Sequence, residues 1–309
     1  MGKRVLIFGV NGFAGAHLAH ELVLHGYVVC GSDLSDMCPL SEVSAYHVSD
    51  LTDNEGVAAV VREFEPDYIV NLAAVSSVGL SWRSPALTMR VNVEGALNVM
   101  EAARSQETMP RVLLVGSSEE YAAKVGPLNE GDPTLSNNPY GISKVTQEHF
   151  ATLYAERYGL HVCLTRSFNH TGPGQPPRFV LPSWCRQAAE ISRSGRPGKM
   201  VVGNLNVSRD FSDVRDVVRA YRLILEGGRA GEVYNVGSGR ALPLRDLLKT
   251  VTSFCSRPIE VEVDSALIRP ADTLSICCDY SKLHKDLGWD PERRIENTLR
   301  EMFDEYLGE

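Results

Sequence analysis

The chain has little that would tie it to a membrane, a polyanion or a metal. Its apolar runs fall well short of the roughly 18 residues that a bilayer-crossing helix needs. The stretch 1–10 reaches Asn11-Gly12 too soon for a signal peptide. Lys and Arg never run longer than a pair, and 31 of them against 39 Asp and Glu leave a formal charge of -8. That balance is a poor match to nucleic acid, though it leaves room for a small anionic substrate held by a few placed arginines. The seven cysteines (30, 38, 163, 185, 255, 277 and 278) form no C-x-x-C, and no His pair at zinc spacing accompanies them. Their odd number in a long chain argues against a disulfide framework. The expected setting is a reducing cytoplasm, with no metal. Repeats and low-complexity linkers are absent as well.

What is present is ordinary globular material. Apolar residues make up 43% and charged residues 23% of the 309, which excludes wholesale disorder. At roughly 150 residues per domain the length allows one large or two modest domains. Short apolar runs at 3–8, 27–30, 45–48, 68–71, 111–115 and 161–165 alternate with helical patterns at 13–25, 55–64, 85–105 and 139–158. The runs show little in–out alternation, as strands buried on both faces do. Their interleaving with helices predicts an α/β fold, a doubly wound parallel sheet. Past Ser167 the pattern loosens. Turn formers crowd 171–177. Helices are expected at 179–194, 213–225, 242–255, 281–287 and from about 295, with a strand at 232–236. This second portion reads as a smaller mixed α/β lobe packed on the first. Residues 1–167 form the expected first domain, to which about 207–236 returns. Residues 168–206 and 237–309 form the second.

Gly9-x-x-Gly12-x-x-Gly15 follows the first strand and opens the first helix. Glycine there lets the backbone approach a pyrophosphate at a positively polarised helix end. Asn11 and Phe13 belong to the same loop. Asp33 ends the second strand, 33 − 15 = 18 residues after the last glycine. Its carboxylate suits the ribose hydroxyls and repels a 2′-phosphate, which predicts NAD(H) over NADP(H). Asp50 and Leu51, after the third strand, are placed to meet the adenine edge. Of eleven tyrosines only Tyr140 has a lysine four residues on, Lys144. That spacing puts both on one helix face, where an ammonium is expected to lower the phenol's pKa and ready it for proton transfer. Ser117 and Ser118 directly follow the fifth strand, and Ser117 is suited to polarising a carbonyl. Glu119, beside them, is either a solvated loop carboxylate or a catalytic acid/base.

Together these pieces resemble the extended short-chain dehydrogenase/reductase family, also called the NAD-dependent epimerase/dehydratase family, over nearly the whole chain. The glycine triplet, Leu72, Ala73 and Ala74 at the end of the fourth strand, Asn92, Ser117 and the Tyr140/Lys144 pair all match its pattern. The resemblance implies a Rossmann-like first lobe that holds NAD(P) and a second lobe that holds a nucleotide sugar. Within the family, the runs 76–82, 116–121, 166–175, 203–205 and 209–216 are similar to reductases of GDP-linked 4-keto-6-deoxy sugars. That similarity implies catalytic roles for Ser117, Tyr140 and Lys144. It implies sugar or phosphate contacts from Ser76, Ser77, Ser118, Asn169, Arg209 and Arg269, and a base pocket lined by Phe179 and Val180. Two features leave alternatives open. Asp33 stands where such reductases carry a basic or small residue, so NADP(H) use stays open. Family dehydratases place an acid/base at the position of Glu119, so a 4,6-dehydratase or C4 epimerase is the alternative reading. A non-catalytic NAD(P)-sensing protein is a remoter one. The resemblance also implies a homodimer through a four-helix bundle built from about 85–105 and 139–158.

Overall fold

A computed structural model describes residues 2–268 and 273–308. In chain order the elements are β1 (Arg4–Phe8), α1 (Phe13–Leu24), β2 (Val28–Asp33), β3 (Ala45–Val48), α2 (Asn54–Phe64), β4 (Tyr68–Asn71), α3 (Val78–Arg83), α4 (Pro85–Met89), α5 (Gly95–Arg104), β5 (Arg111–Ser117), α6 (Pro139–Tyr158), β6 (Val162–Ser167), β7 (Asn169–Thr171), α7 (Val180–Ser194), β8 (Gly198–Val202), β9 (Ser208–Asp213), α8 (Val214–Gly227), β10 (Val233–Val236), β11 (Ala241–Pro243), α9 (Leu244–Phe254), β12 (Ile259–Val263), β13 (Ser275–Ile276), α10 (Ser281–Leu287) and α11 (Ile295–Leu307).

Seven strands form one sheet in the order β10-β6-β5-β4-β1-β2-β3, every neighbour parallel. Alternate residues of β1 show why its apolar run is continuous. Val5 and Ile7 join one core with Leu18, Leu22, Val217, Tyr221 and Ile224 from α1 and α8. Leu6 and Phe8 join a second core with Val57, Val61, Val99, Met100 and Tyr154 from α2, α5 and α6. A strand with helices on both faces has no solvated side.

The strands run further than their apolar stretches. β2 continues through Ser32 to Asp33 because these pair with His47 and Val48 of β3. β5 continues to Ser117, which pairs with Ser167 of β6. Ladder bonds thus carry polar groups out to the carboxyl ends of the strands, where open parallel sheets bind ligands. The helix expected over 85–105 is interrupted by a wide, π-type turn at Arg90–Glu94 that carries Asn92 inward.

Beyond β6, three strands (β11-β9-β13) pair in that order, with β7 also on β9, and β12 pairs β8. α7, α9 and α11 supply the core over them, including Leu181, Trp184, Leu248, Leu299 and Phe303. Of the stretch 207–236, α8 and β10 belong with the large sheet, whereas β9 belongs with the small one. None of β7, β8, β9, β11, β12 or β13 exceeds six residues, and β9 reads Ser-Arg-Asp-Phe-Ser-Asp, so no apolar period marks it. Partners distant in sequence decide such strands. No helix among the described residues is long and apolar enough to cross a membrane.

The turn after β1 approaches the turn after β4 closely. Phe8 O accepts from Leu72 N at 2.9 Å and Ala73 N at 3.1 Å. Gly9 has φ +83°, and a Cβ there would lie 2.7 Å from Ala73 N. Gly26 has φ +79° with nothing within 4 Å of a Cβ. Gly26→Ala is therefore expected to cost only the left-handed penalty, about 1 kcal/mol. Gly9→Ala is expected to cost more, about 2–3 kcal/mol. Urea unfolding of both variants checks this; equal losses would show that the Ala73 contact is no constraint.

Candidate active site

The expected cofactor residues gather where β1, β2 and β4 end. Gly12 opens α1 with no side-chain cap, so the first-turn amides face outward from a positively polarised end. The Asp33 carboxylate turns back on this loop, accepting from Asn11 N at 3.2 Å and Leu34 N at 2.8 Å. Asn11 donates its side-chain amide to Met37 O and the Tyr46 hydroxyl, which fixes the loop against the segment after β2. The Phe13 ring stacks on His170, 6.1 Å between centroids, and so joins the glycine loop to the segment after β6. Gly15 is buried against the backbone oxygens of Gly9 and Val10. A dinucleotide fits this cradle: a Cβ at Gly12 would meet only Gly9 O within 4 Å, no side chain caps α1, and a carboxylate stands at the end of β2.

The more peripheral positions differ in what they offer. Asp50 is exposed and accepts from Thr52 N and its hydroxyl, both at 2.9 Å. Leu51 is buried, its carbonyl holding Asn98. Leu72, Ala73 and Ala74 form the half-buried turn after β4. Asn92 is a brace: its oxygen accepts from Val75 N at 2.8 Å, and its amide donates to Val75 O at 3.2 Å and Ser143 Oγ at 2.8 Å. Both amide protons are thus spent on tying the loop after β4 to α6. Ser77 caps α3, accepting from Leu80 N, and Ser76 is exposed beside it.

The reacting groups sit at the end of β5. Ser117 ends the strand and begins the one-turn helix Ser118–Glu120 in a reciprocal cap. Its hydroxyl accepts from Glu119 N at 3.2 Å, and Glu120 Oε1 accepts from Ser117 N at 2.6 Å. α6 begins directly against this turn. Asn138 caps it, accepting from Gly141 N at 2.9 Å, and donates to Glu119 Oε2 at 2.9 Å. A Cβ on Gly141 would lie 2.3 Å from Glu119 O, so glycine allows the helix to seat this deeply. The seating brings the buried Tyr140 hydroxyl into hydrogen bonding with Ser117.

Lys144 lies one turn along, buried, donating to Val115 O at 2.7 Å and Gln147 Oε1 at 3.2 Å. Burial pulls its ammonium down to about 8, with Glu120 opposing. The expectation that Lys144 lowers the Tyr140 pKa is corrected. Burial pushes the Tyr140 phenol up, the Ser117 hydrogen bond pulls it down, and Glu120 and Glu119 push it up again. The reason is geometric: the ammonium bonds the β5 carbonyl instead of the phenol. The phenol accordingly keeps its proton, and the Ser117 hydroxyl lies within hydrogen-bonding reach of the phenol oxygen.

The expected substrate residues lie in the second portion. Asn169 is exposed at the start of β7, opposite Phe211 of β9. Phe179 caps α7 with the Arg178 guanidinium over its ring, and Val180 is exposed. Arg209 donates to Ser208 O and Thr273 O at 2.8 and 2.7 Å. Arg269 lies outside the described residues. Ser118 borders a cavity of about 20 Å³ with Tyr121, Leu128 and Ile276. Asn138 and Glu120 were missed in the sequence, although Asn before Pro139 and the spacing Ser117-x-x-Glu120 are legible helix-start signals.

A family model for GDP-mannose 4,6 dehydratase matches residues 6–302. The GDP-6-deoxy-D-mannose reductase of Pseudomonas aeruginosa is 31% identical over 99% of this chain and 98% of its own. A GDP-mannose 4,6-dehydratase of Yersinia enterocolitica is 28% identical over 97% and 92%. The solved structure of RMD from Pseudomonas aeruginosa, complexed with NADPH, superposes with a TM-score of 0.88 at 30% identity, covering 99% of both chains.

Proposed function

Because the chain belongs to the GDP-mannose 4,6-dehydratase family, within the extended short-chain dehydrogenases/reductases, we propose that it reduces the C4 carbonyl of a GDP-4-keto-6-deoxyhexose with NAD(P)H. The substrate we favour is GDP-4-keto-6-deoxy-D-mannose and the product GDP-D-rhamnose. The observation that carries this reading is the full-length similarity, at 31% identity, to a reductase of nearly equal length. The buried Tyr140 phenol beside Ser117 offers the acid that reduction needs.

The glycine loop, Asp33, Leu72, Ala73, Ala74 and Lys144 would hold the nicotinamide cofactor, which when bound supplies a hydride to the sugar carbon. Ser117 donates a hydrogen bond from its hydroxyl to the C4 oxygen and so polarises the carbonyl, keeping its own proton. Tyr140 passes the phenolic proton to that oxygen as negative charge builds there, which completes the alcohol. Lys144 keeps a positive charge beneath the site to offset the phenolate left behind. Arg209 and Arg269 supply guanidinium forks for the diphosphate.

One observation favours the second reading, a 4,6-dehydratase. Glu119 is held by Asn138 at the mouth of α6, a carboxylate placed beside the proton-transfer pair. Coupling to a GDP-mannose dehydratase separates the two. Steady oxidation of NADH or NADPH, with a 6-deoxy sugar product by NMR, is expected of the reductase. Tightly held cofactor with no net oxidation would favour dehydratase or epimerase. Tyr140→Phe is expected to lower kcat about 100-fold or more while cofactor binding by fluorescence titration stays unchanged; a near wild-type rate would remove Tyr140 from the mechanism.

Asp33 supports NADH as the preferred cofactor, against the NADPH of the Pseudomonas structure. NADH is expected to bind about tenfold or more tightly than NADPH, with Asp33→Ala narrowing the gap. Equal affinities in a titration would show the carboxylate turned from the ribose. A homodimer is the assembly we favour. Leu87 of α4 and Ile142 and Leu153 of α6 stand exposed on neighbouring helices. Light scattering is expected to give twice the chain mass, and Ile142→Glu with Leu153→Glu to halve it; an unchanged mass would place any dimer elsewhere.

A further inference from the structure

Glu120 is 1% exposed and lies directly under Ser117, yet the chemistry above does not use it. One of its oxygens, Oε1, accepts from Ser117 N at 2.6 Å. The other, Oε2, is buried with no hydrogen-bond partner among the described residues. The Arg166 guanidinium of β6 faces it, but its Nε is 3.8 Å from Oε2, too far for a hydrogen bond. That guanidinium is committed elsewhere. It forms a two-point pair with Glu148 of α6 at 3.0 and 2.6 Å and donates to Glu130 O at 3.1 Å. Lys144 of α6 also faces the site, but it donates to Val115 O and Gln147. The remaining neighbours, Tyr140 on α6 and Glu119 on the same turn, bring no cation. An ionised Glu120 would leave a buried anionic oxygen without a donor, which the interior strongly disfavours.

A proton on Oε2 removes that problem. The orphan oxygen becomes a donor, and the Glu148 carboxylate is there to accept. The part-buried Glu148 carboxylate then pairs with Arg166, while the Lys144 ammonium is held by Val115 O and Gln147 Oε1.

Resting on the reductase reading, we propose that Glu120 is a positioning residue that acts as a neutral carboxylic acid. It receives the Ser117 amide proton on one oxygen and donates its own to Glu148 with the other. This bond holds Ser117 in the turn where its hydroxyl accepts from Glu119 N. The hydroxyl proton is then directed away from the turn, toward the Tyr140 oxygen and the substrate carbonyl. Burial and the adjacent Glu148 both push the Glu120 carboxyl well above the carboxylate range, in keeping with this. Neutrality also matters to Tyr140, because a charge on Glu120 would hold the phenol proton more tightly.

Glutamine carries the same acceptor and donor without a titrating proton, and leucine carries neither. Infrared spectra of the full-length enzyme at neutral pH are expected to show a protonated-carboxyl band that Glu120→Gln removes. With NAD(P)H and the GDP-4-keto-6-deoxyhexose, Glu120→Leu is expected to lower kcat about tenfold or more with little change in KM. Glu120→Gln is expected to recover most of that loss. If Glu120→Leu fails to fold, Glu120→Asp takes its place, since its shorter arm keeps the acid and loses the reach to Ser117. A missing band, a Glu120→Gln as impaired as Glu120→Leu, or a Glu120→Leu (or Asp) with wild-type kcat would each overturn the proposal. Failure of the wild-type enzyme to reduce the sugar counts against the reductase reading alone; the infrared band, which needs no substrate, still decides whether Glu120 holds a proton.

Discussion

The site depends on how the first turn of α6 seats on the turn that ends β5. Asn138 bonds both sides of that junction, closing the helix start through Gly141 N and holding Glu119 through its amide. Gly141 has no side chain to keep the backbones apart. The phenol and the serine hydroxyl meet only because these two turns touch. Everything else in the large sheet serves to hold β5 and α6 still. β5 is clamped between β4 and β6, and α6 is anchored through Ala151 and Tyr154 in the core.

The electrostatics follow from the same seating. A tyrosine and a lysine four residues apart share a helix face, but burial acts on each before either acts on the other. The phenol becomes a weaker acid and the ammonium a stronger one. Lys144 meets its desolvation by bonding the carbonyl of Val115, the residue two before Ser117. The pair is therefore tied to the strand as much as to itself. The chain's overall charge of -8 plays no part at this depth. What counts is the local balance of Glu120, Glu148, Arg166 and Lys144, four ionisable side chains on three elements.

The large sheet was legible because its signal is local and repeated. Strands buried on both faces read as unbroken apolar runs, and the helices between them start and stop at Pro, Asn and Gly. The glycine triplet, Asp33, Ser117 and the Tyr140/Lys144 pair were legible for a related reason: each is set by distance from a strand end. The small strands were not. β9, with Arg209 in it, is a polar hexapeptide that becomes a strand only when β7, β11 and β13 arrive from other parts of the chain.

The sequence by itself determined that a parallel sheet would present a glycine loop, a carboxylate, a serine and a tyrosine–lysine pair at one edge, because strand and helix periods are local properties. Only the tertiary structure decided what those groups do to one another. Asn92, which reads as a cofactor contact, has both amide protons taken by Val75 and Ser143. Lys144, which reads as the partner of Tyr140, bonds β5. Glu120, which reads as one of two loop glutamates, is buried beside Glu148 and Arg166. Hydrogen-bond partners and solvent exposure are set by residues brought from far along the chain, and spacing in sequence carries no record of them.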